Sequence, residues 1–351
     1  MAFAEVRERD LDAEIAAIDR KRADEIHVVG HSLFGRIYAI ERLHDLVPIG
    51  LAMRIAWAIG WLRWYWPPAR RRAIGRISLT VAGTSRAGEE RALARKELAV
   101  HAMRFELDAR SMAFRRARVE GLDRLERARV SGRPLLLTGA HIGGGWARAI
   151  AERGFAYTTP VGAWLDPDAD VEWRGRMGYR ARGYRRWALG IGVRYVPMGG
   201  SYEVLRALLE RGETCMVMCD PPGSMRTRMA GKAARMASGP ATLAHETGAL
   251  VVPVLGLLHF DGPHVEVLEP IDPLTLGGPQ EILDRLAEIY GDLMVRHPEQ
   301  VEPAGFTKGV FAEDSAGYPS DLWWFPALRT RARNKTRNAL RRLEERLDGV
   351  R

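Results

Sequence analysis

The chain has 351 residues, of which 46% are hydrophobic and 28% charged. That balance excludes wholesale disorder and supplies enough apolar surface for one large core. Lys and Arg number 53 against 44 Asp and Glu, a formal charge of +9. Such an excess suits an anionic membrane surface, a phosphorylated or acidic partner, or nucleic acid, and charge alone does not choose among them. Cys215 and Cys219 stand four residues apart in an apolar, strand-like run. This spacing puts both on one strand face, too far apart along it for a disulfide, and no second Cys or His pair accompanies them. They read as buried thiols in a reducing compartment, and no metal site is expected.

Taken in chain order, residues 1–45 form an amphipathic extension expected to be helical, charged from Glu5 to Asp24, with no cleavable signal peptide visible. Residues 46–66 are nearly long enough to span a bilayer but contain Arg54 and Arg63. Trp57, Trp61, Trp64, Tyr65 and Trp66 have the character of interfacial anchors, and Arg70, Arg71, Arg72 and Arg76 follow them. A helix lying in a membrane interface is expected there, with a buried core helix as the competing reading. Residues 88–118 read as one long charged helix with apolar positions at Leu93, Leu98, Met103 and Leu107.

From residue 135 strands and helices alternate. The expected strands are 135–139, 155–159, 193–196, 214–219, 250–257 and 264–268, and the expected helices are 146–153, 171–189, 202–211 and 239–247. Gly154, Gly190, Gly212 and Gly248 supply C-terminal stops. The pattern predicts an α/β fold with a central, mostly parallel or mixed sheet flanked by helices. N-terminal membrane-facing helices and a basic C-terminal helix complete the expected architecture. The tail beyond residue 302 carries Trp323, Trp324 and Phe325 ahead of an Arg-rich helical stretch, which suits either a membrane surface or solvent.

One stretch carries chemistry. Leu135-Leu136-Leu137-Thr138-Gly139-Ala140-His141 runs apolar into a histidine, and Gly143, Gly144 and Gly145 lead into the helix that begins at Trp146. In an α/β fold this sets an imidazole at the carboxyl end of a strand, beside backbone N–H groups able to meet an anion. A hydrogen-bonded structural histidine fits the same residues. The stretch is neither a dinucleotide fingerprint nor a Walker A loop. Two basic groups are candidates for gripping phosphates: Arg174, Arg176 and Arg180 among aromatics, and Arg226, Arg228, Lys232 and Arg235 on an expected loop after Asp220. No recognised RNA or DNA module frames them, so no nucleic-acid partner is expected.

Several segments in order resemble the bacterial lipid A biosynthesis acyltransferase family, within the lysophospholipid acyltransferase-like superfamily that includes the phosphatidylinositol mannoside acyltransferases. They are Gly132 to Gly143, Gly199 to Glu213, Asp220 at a strand end, Ala230 to Val254 with its Gly-Pro-Ala and Val-Val-Pro steps, and His297-Pro298-Glu299-Gln300. The resemblance covers roughly residues 46–302. It divides the chain into an extension (1–45), an acyltransferase-like domain (46–302, with the interfacial helix 46–66) and a basic tail (303–351). Two departures stand out. Trp146 occupies the position where the family carries an acid after the histidine, and Pro222 replaces the second acid of an Asp-x-Asp element.

The resemblance implies transfer of a fatty acyl chain from a thioester carrier, acyl-CoA or acyl carrier protein, to a hydroxyl of a glycolipid or phospholipid. His141 would be the general base and Gly143–Gly145 the oxyanion donors, with no bound cofactor. Asp220 is expected as the acid partner of His141 or as an acceptor-positioning group, with Glu246 and Asp166 as weaker candidates. The implied site of action is the cytoplasmic face of a bacterial plasma membrane, reached by peripheral or shallow attachment. A non-catalytic lipid-binding relative, which had lost turnover with the missing acid, is the alternative.

Overall fold

The computed structural model describes residues 28–29, 46–108, 110, 112–161, 173–174, 187–188, 190–197, 201–302 and 310–311. In chain order the strands are β1 (Val28–Val29), β2 (Arg118–Glu120), β3 (Leu135–Gly139), β4 (Thr158–Val161), β5 (Trp173–Arg174), β6 (Arg194–Pro197), β7 (Thr214–Met218), β8 (Pro222–Met229), β9 (Lys232–Met236), β10 (Leu250–His259) and β11 (Gly262–Val267). The helices are α1 (Ile49–Leu62), α2 (Pro67–Val81), α3 (Glu90–Asp108), α4 (Met112–Arg115), α5 (Leu122–Val130), α6 (Trp146–Ala151), α7 (Ser201–Glu210), α8 (Gly239–Thr247) and α9 (Pro279–Arg296).

Seven strands form the central sheet in the order β2-β11-β10-β3-β7-β4-β6. Strands β10, β3, β7, β4 and β6 run parallel, β11 is antiparallel to β10, and β2 is parallel to β11. Every residue of β3 is buried, as a central parallel strand covered on both faces requires. The pleat separates its neighbours: Leu136 and Val251 join one core with α7, α8 and α9, while Leu135, Leu137 and Val252 join a second with α5 and α6. Helix α9 begins at Pro279 and turns Ile282, Leu286, Tyr290 and Leu293 into the first core. Helix α8 starts with Pro240 in its first turn and stops at Gly248, which takes φ +66°.

A helical layer packs beside the sheet. Met53 and Ala56 of α1 meet Met103 and Leu107 of α3, and Ala69, Ala73 and Ile77 of α2 meet Leu93, Ala94 and Leu98. Gly60 lets α1 cross close to α3, because a Cβ there would collide with the Leu98 carbonyl. Glu97, buried on α3, receives a bidentate ion pair from Arg76 of α2.

Residues 46–66 are neither a span nor a fully buried helix. No helix among the described residues is long and apolar enough to cross a membrane. Helix α1 buries one face, while Leu51, Ile55, Ile59 and Leu62 are exposed on the other, each about half open to solvent or more. The expected single helix over 88–118 breaks after Asp108 into α3, the short α4 and strand β2. Its four apolar positions are all buried on α3 or at its end.

Helices α2 and α9 and strands β2, β8 and β9 had no counterpart in the sequence-based expectation. The basic loop expected after Asp220 is an antiparallel hairpin, β8–β9. Its residues alternate in burial, with Met225, Thr227 and Met229 turned inward towards α9 and Arg226 and Arg228 left open. The helix expected over 171–189 is corrected at Trp173–Arg174, which pair as a strand with Val28–Val29. Trp187 and Ala188 are helical. Val28–Val29 likewise replaces helix within the expected extension 1–45, the rest of which, like 303–309 and 312–351 of the tail, lies outside the described residues. Near residue 190 the left-handed turn falls on Gly192 (φ +76°) and not on Gly190.

Candidate active site

Parallel register builds the site. Strands β3 and β7 align Gly139 with Met218, and Cys219 continues the ladder by donating its N–H to the Gly139 carbonyl at 3.0 Å. Two residues beyond each strand end, His141 and Asp220 therefore stand side by side. The Asp220 carboxylate accepts from the His141 backbone N–H at 2.8 Å and lies 2.8 Å from its Nδ1. Both oxygens are thus used to fix one residue in place and orientation. The Asp220 side chain is 8% exposed and the imidazole 22%, so the carboxylate is the buried partner and the ring keeps an open edge.

This pairing tunes the imidazole. Burial works against its charged form, but the attraction and hydrogen bond of Asp220, aided by Glu302, outweigh that and raise its pKa above the ordinary 6.5. Asp220 thus engages the Nδ1 side of the ring, and Nε2 is the ring nitrogen that it does not bind. The small pocket at the ring is lined by His141, Asp220, Met229, Met294, Val301, Glu302 and Val310.

Trp146, standing where the family carries an acid, is core. It is 4% exposed at the first turn of α6. Its indole lies over Gly139 of β3 and Gly256 of β10, and a Cβ at either glycine would strike it. The sheet is thus hollowed under the indole, and the carboxylate that serves the histidine comes from β7 instead.

The glycines hold the loop to its neighbours. Gly143 (φ +68°) packs so close to the Gly256 carbonyl that no Cβ fits. Its N–H donates to the Gln300 carbonyl at 2.8 Å, which corrects its expected role as an oxyanion donor. Gly145 (φ +77°) backs onto Phe114. At Gly144 (φ +151°) a Cβ would lie 3.5 Å from the Arg104 side chain.

Two site residues were missed by sequence reasoning. Arg104, buried on α3, donates to the carbonyls of Gly143 and Gln300, both at 2.6 Å. Gln300 exchanges two side-chain hydrogen bonds with the Leu258 backbone, so its amide acts as a strand rung on β10. The Glu302 N–H then donates to the His141 carbonyl. The His-Pro-Glu-Gln segment thus straps the histidine loop to β10 and α3. Gln300 was visible within that motif, whereas Arg104 is one arginine among many on a charged helix and carried no signal.

The expected anion ligands separate. Lys232 is engaged: its Nζ donates to the Leu79 and Thr80 carbonyls at the end of α2, and desolvation pulls its pKa down to about 8. Arg226 and Arg228 are exposed on one face of the hairpin, with Arg235 directly opposite Arg226. Arg174 lies on β5, and Arg176, Arg180 and Asp166 fall outside the described residues. Glu246 binds the Tyr202 hydroxyl at 2.8 Å, with Arg206 3.9 Å away, and takes no part in the pair. Cys215 and Cys219 are free and buried, and no metal-binding cluster occurs among the described residues.

The site is therefore a histidine held by a buried carboxylate at the ends of two parallel strands. The sequence profile of the bacterial lipid A biosynthesis acyltransferases matches residues 37–301, and the chain belongs to that family. It is a lipid acyltransferase by that membership. No curated protein matches it. Among solved structures it is similar to the 1-acyl-sn-glycerophosphate (LPA) acyltransferase PlsC from Thermotoga maritima. Identity there is 13%, coverage is 74% of this chain and 96% of that one, and the TM-score is 0.34.

Proposed function

We propose that the protein moves a fatty acyl chain from a thioester carrier, acyl-CoA or acyl carrier protein, to a hydroxyl of a glycolipid or phospholipid. His141 is the general base. The acceptor hydroxyl gives its proton to Nε2 as its oxygen attacks the thioester carbonyl, and the collapsing intermediate expels the carrier thiolate, which takes that proton. Asp220 orients the ring and stabilises its protonated form. The observation that carries this reading is the double hydrogen bond from His141 to Asp220.

Two surfaces support a lipid substrate. The exposed stripe of α1 continues into Tyr65 and Trp66, both more than half exposed. From residue 46 to 88 there is no Asp or Glu, while Arg54, Arg71 and Arg72 are exposed. An apolar stripe in a segment rich in arginine and without acids suits an anionic bilayer surface, with peripheral attachment on the cytoplasmic side. On the hairpin whose Met229 lines the pocket, Arg226 and Arg235 stand opposite each other. Like charges so placed repel, and a phosphate of substrate or carrier would relieve them.

The test is thioester consumption by the full chain with acceptor-bearing vesicles. Turnover is expected to need both the acceptor and His141, and His141→Ala should bind vesicles normally without turnover. A wild-type protein that binds vesicles and consumes no thioester would instead be a lipid-binding relative.

A further inference from the structure

The chain just past the His-Pro-Glu-Gln motif pairs with the histidine loop. Ile142 stands opposite Val301 in an isolated antiparallel bridge. Two backbone bonds flank it: the Gly143 N–H donates to the Gln300 carbonyl at 2.8 Å, and the Glu302 N–H donates to the His141 carbonyl at 2.6 Å. This register sets Glu302 directly opposite His141. Residues so opposed send their side chains to the same face, with Cβ atoms about 5 Å apart. Both residues do line one pocket, together with Asp220. Glu302 lies just beyond the stretch matched by the family profile.

The charges around that pocket are unequal. Among the described residues its lining holds two carboxylates, Asp220 and Glu302, and no Lys or Arg. Asp220 is spent on the N–H and Nδ1 of His141. The Glu302 side chain is the more open acid, 35% exposed against 8%. Arg104 comes within 3.9 Å of it, outside hydrogen-bond reach, while its Nε and Nη2 donate to the Gly143 and Gln300 carbonyls. One buried cation thus stands against two carboxylates. An ionised carboxylate is a strong acceptor for hydroxyl donors, and it repels a phosphate, most of all where water is scarce.

We propose that Glu302 is a specificity residue: set opposite His141, its carboxylate accepts a hydrogen bond from a hydroxyl neighbouring the reacting one and turns away an acceptor that carries a phosphate there. The site then takes a hydroxyl of an uncharged, sugar-like headgroup in preference to one on a phosphorylated glycerol. A phosphate seated at Arg226 and Arg235, which do not line the pocket, is compatible with this selection. The selection rests on the acyl transfer proposed above, whereas the place of Glu302 beside the histidine does not.

The test is Glu302→Gln in the full chain, which keeps the shape of the side chain and removes its charge. Imidazole NMR is expected to show the His141 pKa falling, since Glu302 helps to raise it. An unchanged titration overturns the inference. Thioester consumption is then compared on vesicles bearing a glucosyl diacylglycerol or a lysophosphatidate. The wild type is expected to favour the glycolipid at least tenfold in kcat/KM, and the variant to lose at least fivefold of that preference, more in acceptor KM than in kcat. A variant that keeps the full preference, or a wild type that favours lysophosphatidate, overturns the inference and leaves acyl transfer standing. A wild type that consumes no thioester with either acceptor overturns the acyl-transfer reading and the selection with it. If the variant does not fold, the wild-type preference decides, and equal use of the two acceptors overturns the inference.

Discussion

The carboxyl ends of β3 and β7 and the outer face of α1 treat their side chains in opposite ways. At the strand ends the polar groups are gathered in and partnered: Asp220 spends both oxygens on His141, and Arg104 spends its donors on loop carbonyls. On α1, apolar side chains are turned outward, and the sequence around them from residue 46 to 88 carries arginines but no Asp or Glu. The first arrangement fixes the imidazole in one orientation, since a buried polar group left unpaired is costly. The second is costly in water alone and suits a surface that takes up apolar area. Under the proposed function, chemistry and attachment belong to separate regions, and substitutions should divide them.

The largest effect should come from His141→Ala, with turnover falling about 10²- to 10⁴-fold, the range of a general base, and vesicle binding unchanged. Next, Trp146→Glu should not build a second acid at the family's position. The side chain there is sealed under Gly139 and Gly256, so the variant should lose several kcal/mol of stability, as an unpaired buried carboxylate does. Denaturant melts and activity assays together check this; a stable and faster enzyme would break the assignment of Trp146 to the core.

These cases show what the residues alone revealed. The apolar run to His141 and the apolar run to Asp220 marked both strands, and adjacency of their ends followed from α/β topology. Helices α2 and α9 lie outside the expected elements: Arg-rich sequence masks the Ala69, Ala73 and Ile77 stripe of the first, while the second carries a helical stripe at Ile282, Leu286, Tyr290 and Leu293. The hairpin Pro222–Met236 was read as a loop because its Arg residues drew attention from its alternation. Arg104, Gln300 and Tyr290 act through backbone groups far away in sequence, and single-sequence patterns carry no trace of such pairings. The glycine loop was recognised, but the use of the Gly143 N–H depended on where Gln300 would lie.

A smaller effect should appear at α1. Replacing Leu51, Ile55 and Ile59 together by Ser should weaken binding to anionic vesicles at least tenfold, while stability stays within about 0.5 kcal/mol per site, as at exposed positions. Sedimentation with vesicles checks it, and unchanged binding would move attachment elsewhere in the chain. Smallest of all, Cys215 and Cys219 should resist alkylation at pH 8 in the folded protein. Burial pushes the Cys215 thiol up to about 12 and that of Cys219 well above its usual range.

The pH dependence of kcat/KM for acyl transfer tests the central claim most directly. A base must be neutral to act, and Asp220 raises the His141 pKa, so activity in the wild type should rise with pH through a limb lying above 6.5. In Asp220→Asn the raising charge is gone and burial, which lowers the pKa, remains, so the limb should move to lower pH as the plateau falls. The same limb in both proteins would contradict the account.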